Sequence, residues 1–371
     1  MVKTVRHIEL DAPNISGLEA DRIQRCLDSG FVSTFGPFVP EFEEKFADYV
    51  GSGYAVSTQS GTAAIHAALH ELGVGKGDEV IVPALTFIAT VNPVAYLGAE
   101  PVFADVDIGT WNISSEEIEK SITKKTKAII PVHLFGNPCN MEDIMDIAGR
   151  HGLYVVEDAT ESLGAIYKGR YTGTIGDLGC FSFNGNKVIT TGGGGMVTGD
   201  DEKRLSHIKF LVNQARDVSK GYYHPEIGFN YRMTSIEAAL GLAQLERLDS
   251  FLSKKKRFDE IYRAQLKETG FIRFQAGCEG AVTSPWLTSV IFENNTDIAV
   301  LQKRLRDKGI PSRRIFTPLM TLPPYEGYRR SNCGNSRFIY EKGLSLPGST
   351  LNSEDDIYHV CETIKETIRF L

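Results

Sequence analysis

The chain has 371 residues, 42% of them hydrophobic and 23% charged, proportions of a globular protein with roughly two or three domains. Its formal net charge of −7 argues against a nucleic-acid or membrane-surface binder, and no run approaches the ~18 apolar residues that span a bilayer. The six cysteines, Cys26, Cys139, Cys180, Cys278, Cys333 and Cys361, contain no C-x-x-C pair, so they read as reduced thiols of a cytoplasmic protein, with neither a disulfide nor a metal framework.

Residues 1–15 read as an extended arm, and MVKTVRHIELDAP is too polar for a signal peptide. Residues 16–30 have helical character. A Gly/Pro/Ser loop then enters an amphipathic helix with Phe42, Phe46 and Tyr49 near one face, aromatics assigned to the core. From Tyr54 to Asp107 the pattern is strand, tight turn, helix, strand, loop, helix, strand. That alternation signals a parallel α/β sheet. Ser60-Gly61-Thr62 falls where the first turn enters its helix. It is either an anion site of free N–H groups and hydroxyls or a plain N-cap. His133 follows an apolar strand and either faces a ligand edge or is a satisfied core histidine; a supporting role is favoured.

The stretch 155–196 carries the chemistry. LYVVEDA is a short apolar run ending on acids, suited to a strand buried on both faces. Asp158 then falls near the strand's C-terminal end, where open α/β sheets hold ligands. A second apolar run, LGCFSFN, ends close to Lys187, and GGGGMVTG supplies glycine turns and a third short run. A lysine so placed can form a Schiff base with an aldehyde, and a carboxylate can keep a pyridinium nitrogen protonated. These are the protein groups that pyridoxal phosphate (PLP) chemistry most needs. Taken singly, glycine runs are also plain turns, and an acid after a strand is also a helix cap.

From Asp200 to about Leu252 the pattern is helical, broken by the loop DVSKGYYHPEIGFNYRMTS. SIEAALGLAQLERLDSFL reads as one amphipathic helix, capped by Thr234 or Ser235 with Glu237 in its first turn. From about residue 253 the pattern changes to a charged helix, the apolar run WLTSVIFE, another helix, a Pro-rich loop and a last helix. This reads as a smaller α/β domain. The basic run Lys254-Lys255-Lys256-Arg257 is assigned to a solvated helix face.

Together SGTAAIHAAL, PALTFIATVNPV, VVEDATESLGA, FSFNGNKVITTGGGGMV and GFNYRMTSIEAALGLAQL, in this order, resemble the DegT/DnrJ/EryC1/StrS family of PLP-dependent sugar aminotransferases over nearly the whole chain. The resemblance implies an α/β, aspartate aminotransferase-like fold (fold type I): a mostly parallel sheet sandwiched by helices, plus a smaller C-terminal α/β domain. The expected divisions are an arm at 1–15, a large PLP-binding domain at 16–250 and a small domain at 251–371. The form FNGNKVITT looks most like the branch that aminates C4 of nucleotide-linked 4-keto-6-deoxy hexoses in surface polysaccharide or O-antigen biosynthesis. A UDP-N-acetyl sugar is the first expected acceptor, a GDP sugar the second, and L-glutamate the donor. The alternatives are a C3 aminotransferase or a PLP-dependent nucleotide-sugar dehydratase; relatives that dehydrate carry histidine where this chain has Lys187.

The resemblance also implies roles. Lys187 would tether the cofactor and move protons, and Asp158 would pair with the pyridine nitrogen. Glu161 would lie near the ring's phenolic oxygen and Phe87 against its face. Gly61, Thr62 and Ser182 would hold the phosphate. Asn230 would reach the phosphate of a neighbouring subunit, which implies a homodimer with shared sites. His133, Arg232 and Trp286 are weaker candidates near the sugar nucleotide. Two departures stand out: Gly192 to Gly195 are all glycine where the family often has GEGG, and Met320 replaces a frequent histidine, which bears on the identity of the sugar.

Overall fold

The computed structural model describes residues 7–369; residues 1–6 of the expected arm lie outside them. The central sheet has seven strands: β1 (Tyr54–Thr58), β2 (Glu79–Pro83), β3 (Glu100–Ala104), β4 (Thr126–Ile129), β5 (Tyr154–Asp158), β6 (Leu178–Ser182) and β7 (Gly195–Gly199). Their spatial order is β1-β7-β6-β5-β4-β2-β3. Only β7 runs against its neighbours in this sheet; the β6-β5, β5-β4, β4-β2 and β2-β3 pairs are parallel. The expected mostly parallel sheet between helices is therefore present.

Strands covered on both faces need apolar side chains in both directions. In β2 the run EVIVP is buried throughout. Successive residues alternate faces: Val80 and Val82 pack with Ala64, Ile65 and Ala68 of the helix Gly61–Glu71. Ile81, with Val102 and Val155, packs on the other side with Met141, Ile144 and Ile147 of the helix Met141–His151.

After the central sheet the chain builds a four-stranded antiparallel sheet from β8 (Ile272–Phe274), β9 (Ser289–Phe292), β10 (Arg313–Arg314) and β11 (Gly343–Ser345), in the order β8-β9-β11-β10. Phe258 and Tyr262 of the helix Leu248–Leu266 and Ile357 of the helix Glu354–Ile368 share its apolar cluster with Val290, Phe292 and Leu344. Residues 7–15 run along this part of the molecule: Gly348 N–H donates to Leu10 O at 2.7 Å, and Ser349 Oγ to Ala12 O at 2.8 Å. Among the described residues no helix is long and apolar enough to cross a membrane.

Two expectations are corrected. SIEAALGLAQLERLDSFL is two helices, Ser235–Glu246 and Leu248–Leu266, the first capped by Thr234 with Glu237 completing a capping box. Arg247 marks the break, standing between the two helices as the cap of both, with φ −102° and ψ −2°. Its guanidinium donates to Asn14 O at 3.1 Å and to the buried Glu19 at 2.9 Å. The expected division at residue 250 therefore falls inside the second helix. The basic run is not wholly solvated either. Lys255 is 6% exposed, and its ammonium donates to Trp286 O at 2.9 Å and Gly348 O at 2.7 Å. The cause is helical period: Phe251, Lys255, Phe258 and Tyr262 fall on one stripe, and that stripe is buried.

Candidate active site

β5 ends in two adjacent acids on opposite faces of the sheet. Asp158, the last residue, accepts from Thr90 Oγ1 at 2.7 Å on one oxygen and from Thr160 N–H at 3.1 Å on the other. Thr86 Oγ1 lies 3.1 Å from Thr90 Oγ1 and extends that chain. An ionised carboxylate has about four acceptor positions, so Asp158 keeps capacity for a further partner.

Glu157 accepts from His133 Nε2 at 2.9 Å and from the N–H groups of Gly173, Ile175 and Gly176 at 2.9, 2.6 and 2.7 Å. Burial pushes its carboxyl up, but these hydrogen bonds outweigh it and hold the group below its ordinary value. His133 is fully buried, and its Nδ1 accepts from Cys139 N–H at 3.0 Å. Both ring nitrogens are engaged inside the core. His133 is thus structural, and its expectation as a substrate contact is withdrawn.

Lys187 follows β6 in a turn closed by its own N–H to Asn184 O at 2.9 Å. Nζ lies 3.9 Å from Glu161 Oε1 and 4.3 Å from the centre of the Trp286 ring. Burial lowers the Lys187 pKa against the opposing pull of Glu161 and Asp158, and Arg313 adds to the lowering. Burial likewise raises Glu161, whose Oε2 accepts from Phe135 N–H at 3.0 Å. Both shifts run toward uncharged groups, so the amine is biased toward the form that can attack a carbonyl or take a proton.

Ser60 caps the helix Gly61–Glu71, its Oγ accepting from Ala63 N–H at 3.1 Å. The N–H groups of Gly61 and Thr62 are first-turn donors with no partner within the helix. A Cβ on Gly61 would meet Ser182 Cβ at 2.9 Å and Thr160 Cγ2 at 3.0 Å, and one on Gly195 would meet Ser60 O at 2.5 Å. Glycine at these two places lets the loop before the helix pass close to β6 and β7.

These side chains converge on one cavity of about 460 Å³. Asp158, Glu161, Lys187 and Trp286 line it, as do Gly61, Thr62, Ser182 and Phe87. Asn230 and Arg232 do not. Asn230 is exposed. Arg232 lines a separate small cavity, its guanidinium 6.0 Å from the Phe35 ring. Met320 is buried among apolar neighbours away from the cavity, whereas Gly193 and Gly194 line it. A larger cavity of about 590 Å³ opens near Asp105 and Asp107. It has no lysine in its wall, and the Asp105 carboxylate is already held by Asn335 N–H, Ser336 N–H and Ser336 Oγ.

Sequence reading missed Thr86, Thr90, Asn186, Arg313 and Phe316, all of which line the same cavity. Arg313 pairs with Asp11 at 2.7 Å, and Asn186 Nδ2 donates to the same carboxylate at 3.2 Å. Phe316 stands 5.7 Å from Phe87 and stacks at 5.6 Å on Phe135. Thr86 and Thr90 left a local signal, hydroxyls in the segment after β2 that the alternation already aimed at the ligand edge. The residues present suit PLP: an amine shifted toward neutrality, a carboxylate with capacity left over, and helix-terminal donors reached across a glycine.

The family model for the DegT/DnrJ/EryC1/StrS aminotransferase family matches residues 13–365. GDP-perosamine synthase of Escherichia coli O157:H7 is 40% identical over 363 residues, covering 98% of this chain and 99% of that protein. GDP-perosamine synthase of Caulobacter vibrioides is 40% identical over 373 residues, covering 97% and 98%. Among solved structures, the PLP form of Spr1654 from Streptococcus pneumoniae matches with a TM-score of 0.93 at 29% identity, covering 97% of this chain and 98% of that one.

Proposed function

Because the chain belongs to the DegT/DnrJ/EryC1/StrS aminotransferase family and is a PLP-dependent aminotransferase of sugars, we propose that it moves an amino group from L-glutamate to the C4 keto carbon of a nucleotide-linked 4-keto-6-deoxy hexose. The observation that carries this is Lys187 and Asp158 on the wall of one cavity with the glycine-and-hydroxyl loop Ser60-Gly61-Thr62. The form of the Lys187 motif favours a UDP-N-acetyl sugar. Three relatives at 37–40% identity are named GDP-perosamine synthase, and they support putting a GDP-linked sugar first.

When bound, PLP supplies an aldehyde for the incoming amine and a ring that accepts the electrons released at the substrate carbon. The chain's own groups do the rest. Lys187 Nζ, biased toward its uncharged form by burial, would carry the proton between the substrate carbon and the cofactor carbon that exchanges the amine. Asp158 would hold the ring nitrogen's positive charge, with Thr90 keeping that carboxylate oriented. Gly61, Thr62 and Ser182, which line the cavity, would bind the phosphate through N–H and hydroxyl donors. Trp286 and Phe87 cover the site and limit water.

We also read the working unit as a homodimer. Asn230 is exposed, and Phe35, Tyr222 and Ile227, in neighbouring surface segments, are 66%, 87% and 84% exposed. An apolar surface of that kind supports a second copy lying over it, with Asn230 directed to the partner's phosphate site. The scattered cysteines support a reducing, cytoplasmic setting.

The test is incubation of the purified protein with PLP, L-glutamate and a panel of GDP-, UDP- and dTDP-linked keto-sugars, followed by mass spectrometry. One acceptor should gain an amine while glutamate becomes 2-oxoglutarate, with ping-pong kinetics. Lys187→Ala should abolish both turnover and the visible absorbance of the bound cofactor. Full turnover by that variant would overturn the assignment of Lys187.

A further inference from the structure

Lys255 does not line the cavity, yet it touches two segments that shape it. It occupies an otherwise apolar stripe with Phe251, Phe258 and Tyr262 on the helix Leu248–Leu266. Its ammonium has no carboxylate within ion-pair distance among the described residues. Its hydrogen bonds go to two backbone carbonyls, Trp286 O and Gly348 O. Asp11 acts on it only through space, and burial pulls its pKa down to about 8. A buried cation without a paired acid is unfavourable by itself, so the stripe gains nothing in packing that methionine would not supply.

What the ammonium supplies is geometry. Trp286 is fixed at three points besides Lys255: its N–H to Phe135 O at 3.2 Å, its indole N–H to Asn186 O at 2.6 Å, and its ring face toward Lys187 Nζ at 4.3 Å. Gly348 donates its N–H to Leu10 O at 2.7 Å. The next residue, Asp11, accepts from Arg313 at 2.7 Å and from Asn186 at 3.2 Å. Gly348 also lies against Trp286 directly, since a Cβ there would stand 3.4 Å from Trp286 O. One amine thus joins the aromatic wall beside Lys187 to the arm segment that faces Arg313.

We propose that Lys255 is a positioning residue, which draws the Trp286 and Gly348 carbonyls onto one ammonium and so sets both the indole face at Lys187 and the Leu10–Asp11 segment at Arg313. The inference rests on Lys187 being the reacting amine.

The experiment is competitive amine labelling of the cofactor-free protein across pH, with Lys187 read by mass spectrometry, beside steady-state kinetics of the holoenzyme. In Lys255→Met the labelling midpoint of Lys187 rises toward that of a solvated lysine, because a loosened Trp286 admits water. Turnover falls roughly 10- to 100-fold with KM little changed, since misplacement acts on the proton-transfer step and not on uniform binding. Lys256→Met, on the exposed side of the same helix, moves neither quantity. In a Trp286→Phe background, Lys255→Met changes the midpoint less than it does in the parent, because the two residues act through one contact. A folded Lys255→Met with an unmoved Lys187 midpoint and unmoved turnover overturns the proposal. If that variant does not fold, Lys255→Gln is the substitute: it keeps polar character, but it is shorter and uncharged, so its amide cannot draw both carbonyls together. A Lys187 midpoint in that variant equal to the parent's overturns the proposal equally. Failure of the underlying reading looks different: Lys187→Ala would keep turnover, whereas a silent Lys255 beside an inactive Lys187→Ala sinks only the present inference.

Discussion

Glu157 and Asp158 are neighbours on one strand, and the two faces of the sheet treat them oppositely. Glu157 faces a closed region. His133 and three backbone N–H groups from the 173–176 turn meet its carboxylate, and no acceptor position is left for a ligand. Asp158 faces the cavity with one protein donor on each oxygen. A buried carboxylate must be satisfied on either face, but only the partly satisfied one can serve chemistry. Counting donors therefore separates a structural acid from a functional one where burial does not: Glu157 is 0% and Asp158 2% exposed.

The strongest way to break this comparison is to neutralise each acid in turn. Asp158→Asn should leave the fold in place, since an amide oxygen still accepts from Thr90 or Thr160, while turnover falls by about 10²- to 10³-fold through loss of a preorganised charge partner. Turnover assays with saturating PLP would check this; near-normal rates would put the charge partner elsewhere. Glu157→Gln should behave in reverse, with a large loss of stability and the remaining folded enzyme still active. Each hydrogen bond to a buried charged acceptor is worth about 1.5–3 kcal/mol, and weakening several at once is readable by chemical denaturation. The pH dependence has a definite sign. The folded Glu157 carboxyl lies below its unfolded value, so its contribution is full above the ordinary carboxylate range and is lost as pH falls through the lowered folded value. The stability gap between parent and Glu157→Gln should accordingly narrow in acid and stay constant near neutrality.

The same contrast explains what sequence could reveal. Asp158 and Lys187 were legible because the apolar runs before them deliver both to one sheet edge whatever the remaining packing, whereas Gly61's place beside them came with the family resemblance. His133 was left between two roles because its partner is Glu157, and only pairing of β5 with its neighbours brings the two together. Arg313 sits on a two-residue strand of the antiparallel sheet and Asp11 on an extended arm. Their meeting depends on how distant parts of the chain dock, which no local period encodes. Lys255 is a different kind of miss. Its place at helical spacing between Phe251 and Tyr262 marked it as inward-facing, but the surrounding charges outweighed the period in the reading. The break at Arg247 was hidden because an arginine is a good helix former; the buried Glu19, far away in sequence, draws its side chain aside.

The finest test of the comparison is Thr90→Val, which keeps shape and removes one donor from the active face. Asp158 Oδ2 loses its 2.7 Å hydrogen bond, and Thr86 Oγ1 loses the neighbour at 3.1 Å. A hydrogen bond to a charged group contributes about 1.5–3 kcal/mol, so the variant should unfold at a lower denaturant midpoint than the parent. Asp158 keeps its carboxylate and the Thr160 N–H contact, so turnover should fall by less than about tenfold, well short of the loss expected for removing a preorganised charge partner. Paired denaturation and kinetic measurements distinguish the cases. If Thr90→Val lost as much turnover as Asp158→Asn, the hydroxyl would carry the function now assigned to the carboxylate's spare capacity. If it lost neither stability nor rate, the count of donors on the two acids would be a poor guide to their roles.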